Sequence, residues 1–524
     1  MTEPSPEQTA LPPHRWLSLI GICGTAGIVW LAFSDLGVAI PKIADEFDSN
    51  FSMLQWANNA FSLVTGALVI AAGKFGDLFG RRLMLQIGTV LLAVFSVVAA
   101  LSPDVEWLIL GRGLMGIGAA MILPASLALI PPEFSGRAQT AAFGIWQAVA
   151  WGGLSAGPAI SGFVTDGLGW RWLFWLNLPL AVLTLVVVRL TTLESRDPGA
   201  SGHIDWPGLA TIGLAVFALL YALTEGPSVG WGDPRIVALF AATVVLAVAW
   251  YLIERRVRLP LVDLRLFGIR AYNGALTANL TMNLAYAGLS FLLVLWLQNV
   301  RGYSAVEAGS LMIPATVGVF LGIPFGGALD TRRGGRPPAT AGLAVASAGL
   351  IALAFLDTGT PIEVIAAGLF VVGLGLGLVS TPVANTAVGE VPADLAGTAA
   401  GVFKMSSMLG GSLGVAVLTA LARELTAREA SGVLEGSGLS DAEITRVRQT
   451  LVNSDSYQEA VDMLPPDVRG EVVRVAEDSF SLGVADAMGV TAVLTLLATV
   501  VVFFVWPRRA RRARRAPSEE VGGT

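Results

Sequence analysis

The chain has 524 residues, of which 54% are hydrophobic and only 14% charged, with a formal net charge of −6. A soluble domain carries roughly a quarter charged residues, so an ordinary soluble globular protein is excluded and the apolar excess calls for lipid as its solvent. Cys23 is the single cysteine, and His14 and His203 are the two histidines, which excludes an internal disulfide and speaks against thiolate or imidazole metal chemistry.

Fourteen apolar stretches follow one another along the chain. They run approximately over 16–40, 51–72, 82–101, 105–128, 138–164, 170–190, 205–224, 234–253, 272–298, 304–327, 338–356, 362–386, 396–421 and 484–506. Each is long enough to predict a membrane-spanning helix. Most connections are short, so consecutive spans are expected to be antiparallel neighbours. No cleavable signal peptide is expected: Glu3 and Glu7 precede a first apolar stretch too long for a signal core.

Loop charge predicts the orientation. With the N-terminus inside, the inner segments hold twenty-one Lys and Arg, six of them between Arg508 and Arg515, while the short outer loops hold four: Lys42, Arg171, Arg235 and Arg301. This bias places both termini in the cytoplasm of a cell inner membrane. The basic tail is expected against anionic headgroups. The outer segment 422–483 carries 12 acidic and 6 basic residues. Its stretches Asp441–Leu451 and Asp467–Glu477 read as amphipathic helices, either a solvated cap or an acidic mouth that gathers cations.

An internal repeat organises the whole. Gly73-Lys-Phe-Gly-Asp77-Leu-Phe-Gly80-Arg81-Arg82 lies between spans 2 and 3, and Gly326-Gly-Ala-Leu-Asp330-Thr-Arg332-Arg333 lies between spans 10 and 11. Pro124 in span 4 is echoed by Pro382 in span 12, and Gln139-Thr-Ala-Ala-Phe-Gly144 by Gly397-Thr-Ala-Ala-Gly401. Each match lies eight spans from its counterpart. The expectation is an all-α polytopic membrane protein with two pseudo-symmetric six-helix bundles and two inserted helices. The predicted divisions are a tail over 1–15, a first bundle over 16–190, inserted helices over 205–253, a second bundle over 272–506 that includes 422–483, and a basic tail over 507–524.

Three motifs carry chemistry. In Gly73-x3-Asp77-x2-Gly80-Arg81-Arg82, glycines permit a tight turn between close helices, and Asp77 can accept hydrogen bonds from arginines or a helix N-terminus. Span 4 carries Leu108-x3-Arg112-x3-Gly116, and a guanidinium inside lipid must face polar partners. Span 5 carries Gly144-x8-Gly153-x3-Gly157-Pro158-x2-Ser161-Gly162, a stripe of small residues that packs closely, with a proline that permits a bend. Trp170-Arg171-Trp172 opens span 6, where aromatics suit a membrane interface.

Over roughly residues 16–421 and the last span, these motifs resemble the major facilitator superfamily, and more narrowly its fourteen-spanner drug:proton antiporters. The resemblance implies that the loop bearing Gly73, Asp77, Gly80, Arg81 and Arg82, with Asp330 in the second copy, stabilises an outward-facing state. It implies a role for Arg112 in proton coupling, although Met115 stands where the family has Gln. It implies that Gly153, Gly157, Pro158 and Gly162 form the antiporter motif of exporters, with Ser161 where Gly is usual. The family's Asp, nine residues before Pro41, is Ala32 here, so its role does not carry over.

Asp35 lies one turn nearer the outside. Taking span 1 to end near residue 40, helix rise puts Asp35 and Arg112 at a common depth of ~8–11 Å, within mutual reach. A carboxylate that alternates between an arginine and an apolar cavity would take up and release a proton; the bland reading leaves Asp35 in an outer vestibule. Gln55 and Asn59, Gln147 and Trp151, and Asn279, Asn283 and Tyr286 are each spaced to share a helix face, lining a substrate cavity or bridging helices. Lys404 either binds an anionic group or snorkels toward the inner surface.

The expected function is proton-coupled export of lipophilic, possibly cationic, small molecules by alternating access. The alternatives are a dedicated exporter of an endogenous lipid, siderophore or antibiotic, and a membrane sensor that transports nothing. Protons, a small-molecule substrate and lipid are the expected partners, with no nucleic acid, no cofactor and no metal, and a monomer is expected. An ATP-driven pump is excluded because Gly73-Lys74 is followed by Phe75 and lacks the phosphate-loop pattern. An enzyme would need a nucleophile or metal constellation, and a channel would need symmetric selectivity rings.

Overall fold

The computed structural model describes residues 14–49, 51–196, 205–257, 260–434 and 466–507. The α-helices are α1 Arg15–Ala32, α2 Leu36–Phe47, α3 Phe51–Phe79, α4 Arg81–Ala100, α5 Val105–Ala128, α6 Ile130–Glu133, α7 Gly136–Gly167, α8 Trp172–Trp175, α9 Asn177–Thr191, α10 Trp206–Val229, α11 Pro234–Glu254, α12 Arg270–Asn299, α13 Ala305–Ser310, α14 Ile313–Arg333, α15 Arg336–Leu353, α16 Ile362–Ala384, α17 Ala396–Leu434 and α18 Pro466–Val505. No strand occurs among the described residues. In lipid every backbone polar group must be satisfied within its own segment, and the helix does that without an edge.

Local chemistry sets many helix starts. The carboxylates of Asp104, Asp205 and Asp233 accept from Trp107 N, Gly208 N and Arg235 N at the starts of α5, α10 and α11, and Ser304 with Glu307 forms a capping box on α13. Gly80 and Gly334 take positive φ, +119° and +81°, in the two equivalent reversals. A side chain at either position would be strained. Glu194 closes the first reversal, its carboxylate accepting from Arg82 N and Leu83 N.

The helices pair identically in the two copies. In the first, α3 packs on α5, α4 on α5, α1 on both α7 and α9, and α4 on α9. In the second, α14 packs on α16, α15 on α16, α12 on both α17 and α18, and α15 on α18. The copies meet where α3 faces α17 and α7 faces α14. The inserted pair α10 and α11 pack on each other, and α10 also touches α3 and α17, so it lies along the seam. Outward-facing Val, Leu and Phe cover α9, α11 and α18, as expected of helices bathed in acyl chains. The protein is a multi-pass membrane protein.

Several expected boundaries move. Twelve helices among the described residues are long and apolar enough to cross a membrane, so the expected fourteen are not confirmed. The other two stretches, 138–164 and 338–356, are helical as α7 and α15, of 32 and 18 residues. Their small and polar side chains dilute their apolarity because they pack on other helices: α7 on α1 and α14, α15 on α16 and α18. Span 1 is two helices, broken at residues 33–35 and continuing to Phe47 rather than 40. The segment 422–483 is helical on both flanks, as continuations of α17 and α18. Asp467–Glu477 is thus helical, while Asp441–Leu451, His203 and Arg508–Arg515 lie outside the described residues. The described chain ends share one end of the bundle, here the terminal end: Trp16 meets the Phe134 ring edge to face, Ser18 meets Thr192, and Trp506 lies against the Gly335 reversal.

Candidate functional site

At the terminal end, Asp77 ties the two copies together. It is buried at the end of α3 and accepts from Gly397 N and Thr398 N, each at 2.8 Å, and from Thr398 Oγ1 at 3.0 Å. Gly397 and Thr398 are the second and third residues of α17, so a carboxylate of one copy caps the positive N-terminus of a helix in the other. Arg81 fixes that carboxylate through Nε and Nη2 at 3.2 and 2.8 Å, and Nη2 also reaches Ala393 O at 2.6 Å. Gly73 lies against the Gly397 carbonyl so closely that a Cβ there has no room. Arg82 instead holds its own copy, donating to Thr192 O at 2.9 Å.

The second copy uses a relay. Asp330 is buried and accepts from Asn385 Nδ2 at 2.8 Å, while Gln139 Nε2 of α7 donates to Asn385 Oδ1 at 3.0 Å and to Gly389 O at 3.3 Å. Asn385 sits in a single wide turn, Asn385–Gly389, that follows Pro382 near the end of α16. Asn385 and Glu194 were not singled out in the sequence. The repeat matched Gln139 with Gly397, which marks the partner of Asn385 but not Asn385 itself.

Deeper in the first copy, Arg112 and Asp35 meet. Arg112 Nη1 is 3.5 Å from Asp35 Oδ1, and both residues are buried. Arg112 also donates to Ala32 O at 2.8 Å, Ala57 O at 3.2 Å and Asn58 Oδ1 at 3.0 Å, and lies 4.7 Å from the Phe61 ring centroid. The break after Ala32 explains the geometry. A helix ending there leaves its last carbonyls without intrahelical donors, and the guanidinium supplies one. Arg112 is therefore an ion-pair partner and a carbonyl partner at once. With span 1 ending at Phe47, Asp35 stands twelve residues from the helix end farther from the termini, ~18 Å by helix rise, deeper than the sequence suggested.

The small stripe of α7 packs on this break. A Cβ on Gly153 would meet Trp30 Cβ at 2.9 Å, and one on Gly157 would meet Ser34 Cβ at 2.9 Å and collide with Ser34 Oγ. Pro158 lies inside α7, Gly162 is half-buried, and Ser161 Oγ is buried with no hydrogen-bond partner among the described residues.

The expected cavity residues divide. Gln147 Nε2 donates to Ser380 O at 3.1 Å, Trp151 Nε1 donates to Ser380 Oγ at 3.1 Å, and Trp151 meets the Tyr286 ring edge-on at 4.9 Å. Those contacts cross the seam. Asn279 bridges helices within the second copy, donating to Phe403 O, Ser406 Oγ and Ser407 Oγ, and Asn283 turns back to Asn279 O at 2.8 Å. Asn59 is half-buried, while its neighbour Asn58 holds Arg112; the side chain of Gln55 lies outside the described residues. Lys404 does not snorkel. Its Nζ lies 4.3 Å from the ring centroid of Trp146, 5.0 Å from that of Phe403 and 5.3 Å from that of Trp30. No cluster of metal-ligating side chains occurs among the described residues.

At the distal end, Glu46 near the end of α2 accepts from Trp170 Nε1 at 2.6 Å and pairs with Arg171, which also donates to Ser102 O at 3.2 Å. Burial works against the Glu46 charge, but the bonds from Trp170 and Arg171 win and hold its carboxyl below the ordinary range. Trp170 and Arg171 therefore staple α2 to the segment before α9.

The sequence model of the Major Facilitator Superfamily matches residues 22–415. The chain is 29% identical to the tetracenomycin C resistance and export protein of Streptomyces glaucescens, over 98% of this chain and 95% of that one. It is 31% identical to the multidrug resistance protein Stp of Mycobacterium tuberculosis, over 93% and 91%, and 31% identical to the quinolone resistance protein NorB of Staphylococcus aureus, over 76% and 86%. Among solved structures, the human organic anion transporter MFSD10 superposes with a TM-score of 0.60 at 13% identity, covering 94% of this chain and 100% of that one. The proton:xylose symporter XylE gives 0.59 at 12%, covering 94% and 96%.

Proposed function

The chain belongs to the Major Facilitator Superfamily, a family of transporters rather than enzymes, and from that premise we propose that it exports lipophilic drug-like or antibiotic-like molecules by proton-coupled alternating access. Relatives aligned along three quarters or more of this chain are named for drug or antibiotic resistance, and one of them also for export. The observation that carries the reading is the Asp77 cap on α17. Bonds between two rigid bundles that close one end of a seam are what a rocking transporter must break and remake. On this reading the terminal end is cytoplasmic, as loop charge favours, the membrane is the inner membrane, and the protein works as a monomer with bundles 16–190 and 272–506. The structure then represents the state closed toward the cytoplasm.

Asp35 supplies the proton step. Paired with Arg112 it is held ionised; when rocking separates the two, an isolated carboxylate in low dielectric takes a proton. Gln147 and Trp151, which reach Ser380 and Tyr286 across the seam, lie where substrate passes. Everted vesicles challenged with a compound panel, with and without an imposed proton gradient, test the reading. Gradient-dependent uptake of several unrelated compounds is expected. Uptake of one compound only would favour a dedicated exporter, and none at all a sensor.

A further inference from the structure

The seam holds an unpaired lysine. Lys404 on α17 is only 4% exposed, and its ammonium lies among Trp146, Phe403 and Trp30. No described carboxylate pairs with it. The carboxylates on the helices around it are committed elsewhere or remote. Asp35 is taken by Arg112, and Asp77 by Arg81 and α17 itself. Asp166 lies at the distal end, paired with Lys42. Glu225 of α10 is farther along its helix, ~16 Å away in depth by helix rise, and hydrogen-bonds with Trp56. Glu424 is twenty positions further along α17, ~30 Å, and Glu106 and Glu363 sit in distal first turns.

A second donor is orphaned at the same place. The indole Nε1 of Trp30 is buried with no acceptor among the described residues. Ring quadrupoles offset part of the cost of a buried ammonium, but two desolvated donors with no acceptor still call for one. The first copy contributes Trp30 and Trp146 and the second contributes Lys404, so the rocking that opens the seam also opens this site.

Resting on the exporter reading and narrowing it, we propose that this site takes a planar aromatic compound bearing a single negative charge. The anionic group accepts from the Lys404 ammonium and the Trp30 indole N–H, and the ring lies against Trp146. The sign is opposite to the cationic substrates that the sequence left open, and it takes up the anionic alternative open there for Lys404. A lipophilic cation would meet Lys404 without a compensating carboxylate.

Purified full-length protein can be titrated calorimetrically with three matched probes: 9-anthracenecarboxylate, 9-anthracenemethanol and 9-(aminomethyl)anthracene. Tenfold or greater preference for the carboxylate over both others is expected. Lys404→Met should reduce carboxylate affinity to that of the alcohol, Lys404→Arg should keep the preference, and Trp30→Phe should weaken the carboxylate alone. Equal affinities, preference for the ammonium, or an unchanged preference in Lys404→Met would overturn the proposal. If the methionine variant does not fold, the three probes on the wild type and the Trp30→Phe variant still decide. Proteoliposome flux of the same probes separates the two readings. Selective binding without flux faults the exporter and leaves the site; flux of all three with no carboxylate preference faults the site and leaves the exporter.

Discussion

Replacing Asp77 by Asn should tip the protein out of the conformation described here. The carboxylate accepts five hydrogen bonds, but two come from Arg81, which belongs to the same copy and stays beside it in either state. Only the three from Gly397 and Thr398 cross the seam. A hydrogen bond to a charged group contributes about 1.5–3 kcal/mol, and such contributions do not add fully. An asparagine oxygen keeps one acceptor and turns an NH2 group toward the remaining donors. The closed state should therefore lose about 2–4 kcal/mol relative to the open one, roughly a 30- to 1,000-fold change in the population ratio. Spin labels at Arg137→Cys on α7 and Arg332→Cys on α14, in a Cys23→Ser background, report it, since both sites are exposed at the terminal end on opposite sides of the seam. The longer distance should grow from a minor to a major population. A distance distribution identical to that of the parent would refute the latch.

Asp35→Asn should abolish gradient-driven uptake in everted vesicles while expression stays normal; retained active transport removes Asp35 from the coupling. Arg112→Leu should lower thermal stability by about 3–5 kcal/mol, because it strands a buried carboxylate, and thermal unfolding of the purified protein measures it. Gly157→Ala should cost about 1–3 kcal/mol by overpacking against Ser34, and Ser34→Gly in the same chain should restore the melting temperature; no rescue would mean that the contact is not the cause. For Glu46, whose folded value is depressed, the contribution of the staple to stability is complete above the ordinary glutamate range and fades only as pH falls through the lower native value. The melting difference between the parent and Glu46→Gln should therefore persist to pH 4.5 and shrink below it.

The membrane class, the repeat and most helix positions were legible in the sequence. Lipid leaves a chain few options: a long apolar segment must be a helix, and a motif that recurs eight spans later must occupy an equivalent place. Charge at depth was informative for the same reason and singled out Asp35 and Arg112, which do meet, although their depths were matched on a span 1 ending near residue 40 and the helix runs on to Phe47. What only the tertiary structure decided was who meets whom. The break after Ala32 left no mark in composition, yet it frees the carbonyl that Arg112 takes. Asn58 rather than Asn59 faces the arginine, a difference of one residue and about 100° around the helix. The partners of Asp77 lie 320 positions away, and Lys404 is held by rings from the other copy rather than drawn to the surface. Periodicity specifies a face of a helix. Which neighbour that face meets is set by the packing of all the helices together, and no local stretch of residues carries it.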